Sequence, residues 1–162
     1  MKRALVAGAA ATLIWVAVAN SLPGKQARAA DWSRVKTIRI ASGIAAIYPR
    51  SWTAFASGPT TLAIASFPMP RDWPDPTHKR VPDGSVYILL WSYGRAWRGY
   101  PAGTRPFELR DAYHGYYECN FKLEGYRVLF TLGGKAMQAV IALGRGARES
   151  DAIELLDRLE VG

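Results

Sequence analysis

The clearest hydrophobic pattern lies in the last third of the chain, where Gly133-Gly134 separates two runs rich in apolar residues. Paired glycines in that setting predict a two-residue hairpin. The loop sets Leu132 opposite Lys135, Phe130 opposite Met137, Val128 opposite Ala139 and Tyr126 opposite Ile141. Side chains alternate across a strand, so all eight share one face, apolar except for Lys135 beside the turn. A second turn at Glu124-Gly125 extends the pattern into a three-stranded meander over Tyr116–Leu143. It adds Leu123, Phe121, Cys119 and Tyr117 to the same face. The opposite face carries Lys122, Asn120, Glu118, Arg127, Leu129, Thr131, Gln138 and Val140, and reads as wet or lightly covered. A slip of one residue would bury the charges and expose the aromatics, so the register is strongly specified. In this register Lys122 faces Arg127, an unfavourable pair.

Upstream, Val35–Ala41 and Ile44–Tyr48 read as strands around a Ser42-Gly43 turn, with Ile38 and Ile40 on one side. Pro49 ends the second strand and Trp52 follows within a short turn. Thr53–Ser57 continues as strand, Gly58-Pro59 breaks it, and Thr61–Phe67 is the next. Pro68–Gly84 holds five prolines, at 68, 70, 74, 76 and 82, and so forms neither a helix nor an inner strand. Ser85–Tyr93 is apolar on both faces, the pattern of a central strand covered on both sides. Gly94–Arg105 is irregular, and Phe107–Tyr113 is a short strand or one helical turn. Ser150–Leu159 is the one helix, with Ala152, Leu155, Leu156 and Leu159 as its apolar stripe and Glu149 and Asp151 near its positive end. The expected fold is α+β: an antiparallel sheet of about six to eight strands with a C-terminal helix packed on one face, the apolar face of the meander.

The first 29 residues are different in kind. Met1-Lys2-Arg3 precedes an apolar run to Ala19, a basic segment and then a greasy one, as in a secretory signal. Two Ala-x-Ala sites follow, at Ala17-Val18-Ala19 and Ala27-Arg28-Ala29. The second stands where the composition changes, and is favoured. Ala4–Leu22 is also just long enough for a retained membrane anchor, which needs about 20 residues. Residues 1–29 are therefore read as signal peptide or anchor, and 30–162 as a single domain outside the cytoplasm. No cysteine follows the apolar run, which excludes lipidation of the bacterial lipoprotein type.

Charge narrows the function. The net charge is +8, but Lys2, Arg3, Lys25 and Arg28 belong to the leader; beyond it 17 basic residues face 13 acidic ones, a net of +4. These are scattered, whereas nucleic-acid binders cluster them, so a nucleic-acid partner is set aside. Cys119 is the one cysteine, so no intrachain disulfide forms, and it reads as an inert buried thiol.

A strand ending in Tyr48-Pro49 and followed by Trp52, the Ser85–Tyr93 strand, a terminal hairpin and a last helix ending Leu155-Leu156-Asp157-Arg158-Leu159 together resemble small exported bacterial domains of the PsbP-like kind. The resemblance spans most of 35–161. The chain departs from that pattern in having no clear helix between Phe67 and Ser85. The resemblance implies an α/β sandwich with an accessory or binding role.

No motif for catalysis emerges. Asp72, Asp75, His78 and Asp83 fall in the proline-rich loop at a spacing that matches no metal-ligand pattern. His114 and Cys119 stand on opposite faces of any continuous strand, which bars a nucleophilic pair. There is no Gly-x-Ser-x-Gly elbow and no phosphate-cradling loop. Neither a cofactor nor a metal site is expected. The strongest lead is the set Trp73, Arg95, Trp97, Arg98, Tyr100 and Arg105: flat rings and planar cations on two loops, the groups that dominate binding hot spots. The competing reading has the rings plug the ends of the sheet with the arginines lying over them. The face with Asn120, Arg127 and Gln138 is a second candidate. The expected function is non-enzymatic binding of an envelope protein, an anionic lipid headgroup or a glycan. The alternative is a small hydrolase-like enzyme with a pocket under the 68–84 loop, gathering His78 or His114 against a carboxylate.

Overall fold

The computed structural model describes residues 28–69, 81–109, 112–117 and 121–162. The leader before residue 28, Trp73, Asp72, Asp75, His78, Cys119 and Asn120 lie outside these. The elements run β1 (Val35–Arg39), β2 (Ile44–Pro49), β3 (Thr53–Ser57), β4 (Thr61–Ala65), β5 (Val86–Arg95), β6 (Ala112–Tyr117), β7 (Phe121–Leu132), β8 (Lys135–Leu143), α1 (Glu149–Asp157) and β9 (Leu159–Val161).

The antiparallel α+β character holds, but the single sheet does not. Among the described residues the strands form two sheets, one of order β1-β2-β9 and one of order β3-β4-β5-β8-β7-β6. The turn at Pro49–Trp52, where the Trp52 N–H donates to the Pro49 carbonyl at 2.9 Å, carries the chain from the first sheet to the second. β9 had no counterpart in the sequence reading. The helix stops at Asp157, and Leu159 leaves it to pair with Ala46 of β2, buried at the joint.

The hairpin β7–β8 has the expected register throughout, from Leu132 opposite Lys135 to Tyr126 opposite Ile141. Its turn works because Gly133 and Gly134 both take positive φ, 55° and 75°, as a primed two-residue turn requires. The turn expected at Glu124-Gly125 is not there. β7 runs unbroken from Phe121, with Gly125 opposite Ala142 of β8 and Tyr113 of β6. A Cβ at residue 125 would collide with the Ile141 carbonyl oxygen, so this glycine serves close strand approach instead of a bend. β6 instead pairs with β7 from Ala112 opposite Tyr126 to Tyr117 opposite Phe121, so that Lys122 pairs with Tyr116 and does not face Arg127. The facing expected of Tyr117, Cys119, Phe121 and Leu123 rests on side chains that lie outside the described ones.

β5 is the central strand, flanked by β4 and β8. On one side Val86, Ile88 and Leu90 join Phe130, Met137 and Ile141 in the main core, which also takes in Ile44 and Tyr48 of β2 and Leu155 and Leu156 of α1. The helix therefore shares this face with the small sheet instead of covering it alone. On the other side Tyr87 and Leu89 pack with Val140, and Phe67, Met69 and Val81, from the two flanks of the proline-rich stretch, cover them. The second sheet face is thus a second core. Gln138, expected on a wet or lightly covered face, is 5% exposed.

Candidate binding surface

β5 runs on past the end of its pairing with β4, and its last residues begin the surface. The pairing with β8 shifts between Ser92 and Arg95, which sets Arg95 opposite Lys135. The chain is then fastened to the hairpin tip, the Ala96 N–H donating to the Gly134 carbonyl at 2.8 Å. A turn follows, closed by the Tyr100 N–H on the Trp97 carbonyl at 3.1 Å. It brings the two rings edge-on, with centroids 4.4 Å apart. The Tyr100 hydroxyl donates to the Met137 carbonyl at 2.7 Å, and the Thr131 hydroxyl to the Pro101 carbonyl at 2.9 Å.

These bonds hold the loop, yet the Trp97 ring stays in water at 59% exposure. Tyr93 is half exposed, with its hydroxyl donating to Gln138 Oε1 at 3.0 Å. Arg95 and Arg98 are exposed, and among the described residues no carboxylate pairs with either. Burial raises the Tyr100 phenol above the ordinary tyrosine value, and the nearby Arg127 charge opposes the rise. Arg127 itself is exposed. The patch is therefore three aromatic rings among cations, held by backbone hydrogen bonds.

Of the residues singled out in the sequence, Arg95, Trp97, Arg98 and Tyr100 come together. Arg105 does not join them: its Nη2 donates to the Leu159 carbonyl at 2.5 Å, tying the loop to the start of β9. Phe107 N–H to Asp157 Oδ1, at 3.0 Å, reinforces that tie. Tyr93 also belongs to the surface and was not nominated, while Arg127, nominated only on the second candidate face, lies close to Tyr100. The signal was available for Tyr93, since it lies one turn-residue before Gly94 on the face of Tyr87 and Leu89.

The described residues also form clefts, two of which bear on the reading. One of about 420 Å³ lies between Ala102–Leu109 and the β7 segment Tyr126–Phe130. The other, about 600 Å³, lies at the start of α1, between Asp151, Trp52, Ser66, Ser85 and the lead residues Arg28–Asp31. It holds carboxylates but no histidine among its lining residues. No group of three or more His, Cys, Asp or Glu suited to a metal occurs among the described residues. His114 lies in β6 opposite Glu124. No helix among the described residues is long and apolar enough to cross a membrane. No family model, curated protein or solved structure matches the chain.

Proposed function

We propose that this is an exported or membrane-anchored, non-enzymatic domain that binds a partner at the cell envelope through Tyr93, Arg95, Trp97, Arg98 and Tyr100. One observation carries the reading: a tryptophan kept 59% exposed on a loop that its neighbours hold in place. An indole in water gives up burial worth about 1.5–3 kcal/mol, which a partner recovers on covering it. A pre-held ring also loses little conformational entropy on binding. The surrounding cations favour an anionic surface, from an acidic protein, a lipid headgroup or a charged glycan. The basic and apolar start of the chain supports a location outside the cytoplasm, and the resemblance to PsbP-like domains points the same way.

Double substitution Trp97→Ala/Arg98→Ala tests it. Surface changes away from the core alter stability little, so Tm should move by no more than about 3 °C. Capture of partners by crosslinking or pull-down from the envelope fraction should fall at least about 30-fold, the loss expected of a hot spot. Unchanged capture, or a collapse of Tm, defeats the reading.

A further inference from the structure

The cleft at the start of α1 contains a group that the binding surface does not use. Asp151 is 8% exposed, and its side chain has no hydrogen-bond or ion-pair partner among the described residues. An unpartnered carboxylate that lines a cleft favours a cation beside it. Its place in the first turn of α1 sets it beside the positive end of the helix dipole. The lead, Arg28–Asp31, forms part of the wall of the same cleft. That lead is anchored. Ala30 packs on the main core, and Trp32 rests on Trp52 at 5.8 Å with the Arg158 guanidinium over it at 5.2 Å. The peptide bond between Ala29 and Ala30, the favoured leader cleavage point, is therefore held in the wall of the cleft that Asp151 lines.

We propose that cleavage there creates an α-ammonium on Ala30 that seats in this cleft and pairs with the Asp151 carboxylate. Water adds across the Ala29–Ala30 amide: Ala29 leaves with the leader as a carboxylate, and Ala30 keeps the amine, protonated at neutral pH. In the uncut chain Arg28 is the cation on that wall. It departs with the leader, and the new ammonium replaces its charge. Only two residues separate the amine from the Trp32 anchor, at most about 7 Å of chain, so it stays near the cleft. Maturation thereby locks the lead onto the helix start. The inference rests on the export reading and its second cleavage site.

The neighbouring charges are few. Asp31 is the competing carboxylate, but it is exposed, and its Oδ1 already accepts the Ser33 N–H at 3.1 Å. Arg34 and Arg50 share a shallow depression with Asp31. Lys36 donates to the Trp52 carbonyl at 3.4 Å, and Asp83 and Arg145 face each other at 3.9 Å, both exposed. Arg148 and Glu149, exposed, begin the helix, and Glu149 accepts the Tyr126 hydroxyl.

The test uses the chain beginning at Ala30, released from a removable fusion; the buried core begins only at Ile40, so all of it is retained. The α-amine is labelled by reductive ¹³C-methylation and titrated by NMR. Its pKa should lie above the ordinary α-amino range of about 7.7–8.0, fall back in Asp151→Asn, and be unmoved in Asp31→Asn. An amine whose pKa is raised by folding stabilises below its unfolded pKa and loses that contribution as pH rises through the folded one. Tm should accordingly drop by roughly 3–6 °C between about pH 8 and pH 10, and the Nα-acetylated chain should lack that drop. The acetylated chain keeps the test open if Asp151→Asn fails to fold. An ordinary amine pKa with no such drop overturns the pairing. N-terminal sequencing of the exported form separates the two ideas. A start at Ala30 supports the proposal, a start elsewhere overturns it as a maturation step, and an intact Met1 in a soluble cytosolic fraction defeats the export reading itself.

Discussion

Tyr87 shows what a single hydroxyl does inside this molecule. The side chain is wholly buried in the second core, and burial pushes its phenol far above the ordinary tyrosine value. Tyr48 and Tyr100 are shifted the same way, also by burial. A phenol with a raised pKa keeps its proton in the folded chain when the unfolded chain has lost it. Stability is then intact below the unfolded tyrosine value of about 10 and falls as pH climbs beyond it. Urea midpoints measured from pH 8 to 11 should decline above about pH 10, and Tyr87→Phe should flatten the decline. An equally steep decline in Tyr87→Phe would mean that other groups carry the alkaline sensitivity.

At the level of elements, the instructive case is β7. Its length depends on one glycine being read by its neighbours and not by its own freedom. Gly125 lies in extended strand, pressed against the Ile141 carbonyl of β8. Gly125→Ala must push β7 and β8 apart at a point where backbone meets backbone. The cost should be about 1–3 kcal/mol, the range for overpacking. Denaturant unfolding monitored by circular dichroism measures it; a change under about 0.5 kcal/mol, the size of an ordinary surface substitution, would show that the strand yields freely. β1 contrasts with β7. It is an edge strand whose Lys36 and Arg39 are exposed, so charge guards its open side.

The whole molecule is held together by elements that meet only after the chain has crossed between layers. β9 is the smallest of them. It pairs with β2, buries Leu159 in the main core and receives Arg105 from the far loop. Ending the chain after Arg158 removes a buried leucine, worth about 2–5 kcal/mol when cut to alanine, and uncovers the inner edge of β2. An open, apolar edge invites pairing with another chain. The truncated protein should melt well below the intact one and elute as oligomer or aggregate in size-exclusion chromatography. A monomer of near-native Tm would show that β9 is dispensable.

Local pattern alone was enough for the hairpin turn at Gly133-Gly134, the register of Phe130 against Met137, the double-sided burial of Val86–Leu90 and the helix stripe of Leu155 and Leu156. Each depends on a periodicity of two or 3.6, or on a turn geometry that a few adjacent residues impose. The Trp97 and Arg98 patch was legible only as a set of residue types. That Trp97 stays in water while Arg105 turns away to Leu159 depends on bonds to Gly134, Met137 and Leu159, which are distant in the chain. The division into two sheets, the role of Gly125 and the cleft around Asp151 likewise arise from long-range approach. A glycine that bends and a glycine that yields to a neighbour look alike in sequence, because the carbonyl that distinguishes them belongs to another strand.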